Sequence, residues 1–260
     1  MSIDRRMLLR GALACGCCLK AGAVIASDAP SHKGAASVHW SYEGEGSPEK
    51  WGGLQSDFRV CQLGLEQTPI DLGNGIKGDV GSVDYDYKPV PLRILNNGHT
   101  IQVNADPGSA CVIGGARYEL LQFHLHHPSE HLLAGKGFDL ECHFVHKSSA
   151  GALAVTGVFI RPGAANTALK ALFEAMPAKE SPETRIDAMI DIAGVLPRNG
   201  GYFHYMGSLT TPPCSEGLTW TVHKEPVEAS VEQIRKFAAL FPNNARPVQR
   251  RNRRFLIDAS

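Results

Sequence analysis

With 260 residues and 26 basic against 26 acidic side chains, the chain carries no net charge. That length can bury one large core, and the balanced charge argues against a nucleic acid or other polyanion as partner. No run is long and apolar enough to span a bilayer, and there is no internal repeat or low-complexity tract.

Residues 1–26 read as an export signal. Arg5, Arg6 and Arg10 form a positive head, and Met7 to Ile25 is apolar and rich in small residues. The Arg5-Arg6 pair before Met7-Leu8-Leu9 is compatible with a twin-arginine signal, with cleavage expected after Ala23 or Ala26. Cys15, Cys17 and Cys18 raise lipid attachment as a rival, but Ala12-Leu13-Ala14 suits it poorly. A periplasmic or secreted protein is expected. Removing the leader leaves Cys61, Cys111, Cys142 and Cys214, and three pairings of these four are open. Residues 27–39 are polar and small, a flexible lead-in; residues 40–260 show no linker and read as one domain.

Trp40 to Trp51 is aromatic with Gly and Pro between, an irregular segment laid over a core. Strands are expected at Val83 to Tyr87, Leu92 to Asn96, Thr100 to Asn104, Ala110 to Ile113, Tyr118 to His126, Leu140 to His146, Leu153 to Ile160 and Leu218 to His223. Asn97-Gly98 marks a hairpin between two of them. Asn166 or Thr167 can cap a helix whose Leu169, Leu172, Phe173 and Met176 make a core-facing stripe. Ser230 with Gln233 suggests a capping box opening a helix that runs to Leu240. The basic run Arg250, Arg251, Arg253 and Arg254 reads as a solvated or ion-paired face. The class is mostly β (α+β): a large, mainly antiparallel twisted sheet with small peripheral helices.

Within the fifth of these strands, His124 and His126 stand two apart in an apolar run, so their side chains leave one face. His143 lies in the next alternating run, and neighbouring strands are ~4.8 Å apart. Three imidazoles meeting at one point make a tridentate zinc site with an open fourth position, the arrangement of a catalytic metal. A lone strand histidine is usually plain core, but two at strand spacing followed by a third in a second strand, near Glu130 and Glu141, favour the metal.

Several separated motifs together resemble the exported bacterial type of α-class carbonic anhydrase, from about Trp40 to Arg254. They are Gln67-Thr-Pro-Ile-Asp, Leu95-Asn-Asn-Gly-His, Gln122-Phe-His-Leu-His, Ser129-Glu-His, Glu141-Cys-His-Phe-Val-His, Leu153-Ala-Val and Gly207-Ser-Leu-Thr-Thr-Pro-Pro. The resemblance implies reversible hydration of CO2 to bicarbonate by zinc-hydroxide attack, with Zn2+ on His124, His126 and His143. It implies that Gln122, Glu141 and the backbone carbonyl of Asn244 accept the ligands' outer N–H groups, which fixes their tautomers. Thr210, its hydrogen donated to a buried Glu130, is the implied gatekeeper. His99 is the implied proton shuttle, near solvent and titrating near neutral pH, with Tyr42 and Asn97 holding the water chain. Gln102 stands where a different amide is common. The implied CO2 wall is Val145, Val155, Leu209 and Trp220, with Thr211 beside it. Cys61 and Cys214 match a disulfide of bacterial relatives, which leaves Cys111 and Cys142 reduced and buried. His127, His131 and His146 point away from the metal, with His131 a buried hydrogen-bonding residue. Sulfonamides and anions are the expected inhibitors, and a monomer or dimer is expected. Two rivals are a catalytically silent scaffold of the same fold and a metal buffer using the 11 histidines.

Overall fold

Alternating apolar residues build a single sheet that runs through the molecule. The computed structural model describes residues 39–198 and 200–259. The expected export signal and residues 27–38 of the lead-in lie outside the described residues. In chain order the strands are β1 (Ile76–Lys77), β2 (Val83–Asp86), β3 (Val90–Asn96), β4 (Ile101–Asn104), β5 (Ala110–Ile113), β6 (Ala116–His126) and β7 (Leu140–Ser148). They continue as β8 (Leu153–Pro162), β9 (Ser181–Ile190), β10 (Tyr202–Ser208), β11 (Glu216–His223), β12 (Val227–Ala229) and β13 (Ile257–Ala259). The helices α1 (Trp51–Leu54), α2 (Val60–Leu63), α3 (Lys170–Ala175) and α4 (Val231–Ala238) are short and peripheral.

The sheet order is β1-β13-β10-β11-β8-β7-β6-β4-β3-β9, with β12 also on β8 and β5 joining β2 to β6. Most pairs are antiparallel; β8 pairs β11 and β12 in parallel, as β1 does β13. The Asn97-Gly98 turn joins β3 to β4 as expected. Gly98 has φ +83°, and a Cβ there is strained in the left-handed region.

Strand parity divides the interior in two. On one face Ile94, Val103, Phe123, Leu125, Cys142, Phe144 and Val158 pack against Leu172 and Phe173 of α3 and Ile234 and Phe237 of α4. On the other face lie Val155, Phe159, Tyr205, Trp220 and Val222. A register shift in β6 between Leu120 and Gln122 leaves Leu121 exposed. Beyond that bulge Phe123 and Leu125 face the first core, and Gln122, His124 and His126 face the other way.

Several expectations need correction. Both β9 and β10 were unread; β9 is an edge strand with exposed Pro182, Glu183, Thr184 and Arg185, so it shows little apolar alternation. The region after Trp40 is not wholly irregular, since α1 begins at Trp51, a fully buried anchor. Helix α3 starts only at Lys170; Asn166 Oδ1 accepts from Leu169 N–H and holds the preceding turn rather than capping the helix. Its four stripe residues are buried. The Ser230–Gln233 capping box forms, and α4 ends at Ala238. Arg250 and Arg253 are exposed, as a solvated face requires, whereas Arg251 and Arg254 are half-buried and their guanidinium groups donate to the backbone carbonyls of Gly73, Gln67, Met206 and Arg250.

Candidate metal centre

The register of three strands sets the site. His124 on β6 lies opposite His143 on β7 and Gln102 on β4, and His126 lies opposite Glu141. The ring centroids of His126 are 4.9 Å from His124 and 4.6 Å from His143, and His124 and His143 are 5.4 Å apart. One nitrogen from each ring falls within 4.8 Å of the others, a group that could hold a metal ion.

The other nitrogen of each ring is already engaged. His124 Nδ1 donates to Gln122 Oε1 at 2.8 Å, His126 Nδ1 to the Asn244 carbonyl at 2.7 Å, and His143 Nε2 to Glu141 Oε1 at 2.9 Å. Each acceptor fixes a tautomer, leaving bare lone pairs on Nε2 of His124 and His126 and on Nδ1 of His143. His126 Nε2 is buried with no hydrogen-bond partner, a cost that an ion at that point would remove. Burial pushes the pKa of all three rings down, His126 to about 4, so they are neutral donors at physiological pH.

Asn244 holds more than one group. Its carbonyl receives His126, its Nδ2 donates to the carbonyls of His99 and Leu125, and its Oδ1 accepts from His127 N–H. Glu141 is a second hub. Oε1 accepts from His131 Nδ1 (2.7 Å) as well as His143, and Oε2 accepts from the backbone N–H groups of Glu130 (2.9 Å) and His131 (2.8 Å). Burial alone raises its pKa, but the electrostatic pull of the His131 and His143 rings and the hydrogen bonds they donate outweigh that and hold it well below the carboxylate range. His131 is buried and bonded at both ends, its Nε2 lying 2.6 Å from Tyr205 Oη. His127 turns to the Pro242 carbonyl and His146 to Tyr87 Oη, so neither reaches the site.

Glu130 is buried beside the three rings. Its Oε1 accepts from Arg246 N–H at 2.8 Å. Oε2 lies 3.5 Å from His126 Nε2 and 3.7 Å from His143 Nδ1 and has no hydrogen-bond partner. Burial lifts its pKa to about 7 against the pull of His143, the Arg246 N–H and the Thr210 hydroxyl. Arg246 is a positioning residue that sequence reasoning missed. Its buried guanidinium donates to the Thr68 and Cys61 carbonyls while its backbone holds Glu130. Nothing in Asn244-Ala-Arg246-Pro247 distinguishes it from the solvated basic residues that follow.

Val155 and Trp220 belong to the second core, and Val145 and Leu209 pack against it. Trp220 stands edge-on to His143 at 5.0 Å, and its Nε1 donates to the Ser208 carbonyl. Thr210 is buried and Thr211 half-buried. Their loop is closed by Leu209 N–H on the Ser215 carbonyl and pinned by the Cys61–Cys214 disulfide, with a Cα separation of 5.0 Å. Cys111 and Cys142 are free and buried.

At the mouth the expectation for His99 changes. It is half-buried, its ring stacked on Trp40 with centroids 3.6 Å apart, and burial followed by the charge of His39 lowers its pKa. Asn97 spends its Oδ1 on the N–H groups of His99 and Thr100 and turns its Nδ2 to Gln102, so it first shapes the turn. Tyr42 packs edge-on to Trp40 and Trp51, its pKa raised by burial and by Glu130.

The sequence matches the family described as eukaryotic-type carbonic anhydrase over residues 46–258. It is 46% identical over 244 residues to a carbonic anhydrase of Nostoc sp., covering 92% of each chain. A carbonic anhydrase of Klebsiella pneumoniae is 42% identical over 223 residues, 85% of this chain and 91% of that one. The α-carbonic anhydrase of Thermovibrio ammonificans, solved with the inhibitor sulfanilamide, has a TM-score of 0.83 at 41% identity, covering 85% of this chain and 100% of that one. The matched span includes every strand that carries the histidine site, and the chain belongs to the α-class, eukaryotic-type carbonic anhydrase family of enzymes.

Proposed function

We propose that the chain catalyses reversible hydration of CO2 to bicarbonate and a proton, with a zinc ion held by His124 Nε2, His126 Nε2 and His143 Nδ1. The observation that carries this reading is the set of three outward hydrogen bonds, to Gln122, Asn244 and Glu141, that leave three lone pairs converging. Zinc on three neutral imidazoles lowers the pKa of water to about 7, a value established for carbonic anhydrase itself, and so supplies the nucleophile.

The chain's own residues supply aim, a binding wall and an exit. Glu130 takes the Thr210 hydrogen, which leaves the Thr210 oxygen as an acceptor only. That oxygen then takes the O–H of the attacking nucleophile and points its lone pair at CO2, an orientation effect. A cation at the site also favours ionised Glu130, as this acceptor role requires. Val145, Val155, Leu209 and Trp220, with Thr211 at the rim, form an apolar wall suited to a small unpolar gas. His99 takes the released proton, with Tyr42 and Asn97 bordering its path.

The Cys61–Cys214 bond suits an oxidising compartment, which supports export to the periplasm or outside the cell. A silent scaffold is not favoured, because no ligand, gatekeeper or wall residue is missing. A metal buffer is not favoured either. Among the described residues both metal-sized groups include His143, and His127 and His146 are spent on other partners.

The test is stopped-flow CO2 hydration by purified protein of measured zinc content. One zinc per chain and turnover blocked by a sulfonamide is the expected result. Absent turnover at full occupancy refutes the reading.

A further inference from the structure

The outer face of one sheet edge has no layer packed on it. Register sets Ile76, Ile257 and His204 side by side across β1, β13 and β10, with Met206 two residues beyond His204 on the same face. Phe203 and Tyr205 alternate with them and point into the second core. Two loops raise Leu65 and Phe255 beside this face. Asn252 Nδ2 donates to the Leu65 carbonyl and Arg254 Nη1 to that of Met206, which fastens the loops to the strand. Between them runs a groove of about 650 Å3 lined by Leu65, Met206, Phe255 and Ile257. Leu65 is 69% exposed, Phe255 72%, Ile76 54% and Met206 42%. Large apolar side chains gathered this way in water mark an interaction surface.

The rim of the groove is basic. Arg250 and Arg253 are exposed, and among the described residues their guanidinium groups hold no hydrogen bond or ion pair. Glu66 is the one carboxylate among the described residues lining the groove; Asp79 and Asp84 stand beyond His204, beside Tyr202. With a net charge of zero over the chain, the positive field here is local. A second copy docked about a two-fold axis would bring two basic rims together, whereas an anionic surface meets them with opposite charge. We propose that this face docks the protein on an anionic phospholipid bilayer. Leu65 and Phe255 enter the boundary between headgroups and acyl chains, and Arg250 and Arg253 meet the phosphate groups. None of these four residues takes part in the histidine site.

The test is co-sedimentation of the purified mature protein with vesicles of equal parts phosphatidylglycerol and phosphatidylcholine at low ionic strength, beside vesicles of phosphatidylcholine alone. Binding to the first set, weakened by high salt, and a far weaker association with the second are expected. Replacing both arginines, Arg250→Gln with Arg253→Gln, should weaken binding roughly 30-fold, at about five-fold for each charge near an anionic surface. Phe255→Ser should weaken it about ten-fold and leave the salt dependence in place. Because the replaced side chains are exposed, the urea midpoints are expected to match the parent's, which separates lost docking from lost folding. No binding to anionic vesicles, equal binding to neutral ones, or parent-like binding by both variants overturns the proposal. So does a concentration-dependent dimer of the parent that Phe255→Ser abolishes, since a second copy then covers the face.

Discussion

Replacing Glu141 by Gln keeps shape and volume and changes one oxygen to an NH2 group, which makes it a sharp probe of the centre. The carboxylate accepts four hydrogen bonds, two at each oxygen. An amide can satisfy only one of those pairs. If its oxygen serves the backbone N–H groups of Glu130 and His131, its NH2 faces His131 Nδ1 and His143 Nε2. His143 must then carry its hydrogen on Nδ1, the atom needed for the metal. If the amide is turned over, two buried backbone donors face an NH2, at about 1–3 kcal/mol for each unsatisfied group. Either orientation is costly. The expected result is a metal-free protein weaker by about 2–5 kcal/mol and a zinc dissociation constant raised about 10- to 100-fold. Chelator competition measures the second quantity and urea denaturation of the apo-protein the first. A variant within about two-fold of the parent in zinc affinity, where loss of an outer partner should cost at least ten-fold, and equal to it in stability would refute the hub role of Glu141.

Other outcomes follow from packing and linkage. Reducing the Cys61–Cys214 bond, with its sequence separation of 153, is expected to cost up to about 5 kcal/mol by chain entropy; a urea midpoint unmoved by reductant contradicts this. Gly157 lies opposite His143, and a Cβ there would sit 3.0 Å from Glu141 Oε1 and 3.3 Å from two Val222 carbons. Gly157→Ala should therefore lower stability by about 1–3 kcal/mol and weaken zinc binding by displacing Glu141, both absent if the strand simply shifts. Burial holds the pKa of His223 at about 4, below its unfolded value of about 6.5. The unfolded chain thus binds the extra proton between those values, so the stability linked to this ring is fully present above pH ~6.5 and falls by roughly 3 kcal/mol on acidification to pH ~4. His223→Gln should flatten that pH dependence by about one proton, read from denaturant midpoints across the window; an unchanged slope counts against it.

Much of the centre was legible because its parity is local. His124 and His126 alternate with Phe123 and Leu125, so the two faces of β6 are written in consecutive residues. Glu141, two before His143, follows the same rule. The turn at Asn97-Gly98 and the Ser230 cap are short-range chemistry and were equally readable. What stayed hidden depends on distant parts of the chain. Trp40 reaches His99 across 59 positions (99 − 40) and changes its exposure. Arg246 gains its role only where the Cys61 and Thr68 carbonyls arrive. Among the described residues the edge strand β9 pairs with β3 alone; its first half, Pro182 to Arg185, lies in water, and only Ile186, Ala188 and Ile190 alternate inward, too short an apolar run to stand out.

Asn244 has a bearing on the order in which the molecule is made. His126 and Leu125 leave the ribosome more than a hundred residues before the amide that clasps them. Until the Asn244 backbone carbonyl docks, the His126 ring lacks its outer acceptor and is free to take the tautomer that places N–H on Nε2. A nascent chain stopped short of residue 244 should accordingly bind zinc far more weakly than the finished one, which a chelator assay on a truncated chain can measure. The last turn of chain before the C-terminal strand is thus what completes the acceptor set of the histidine site.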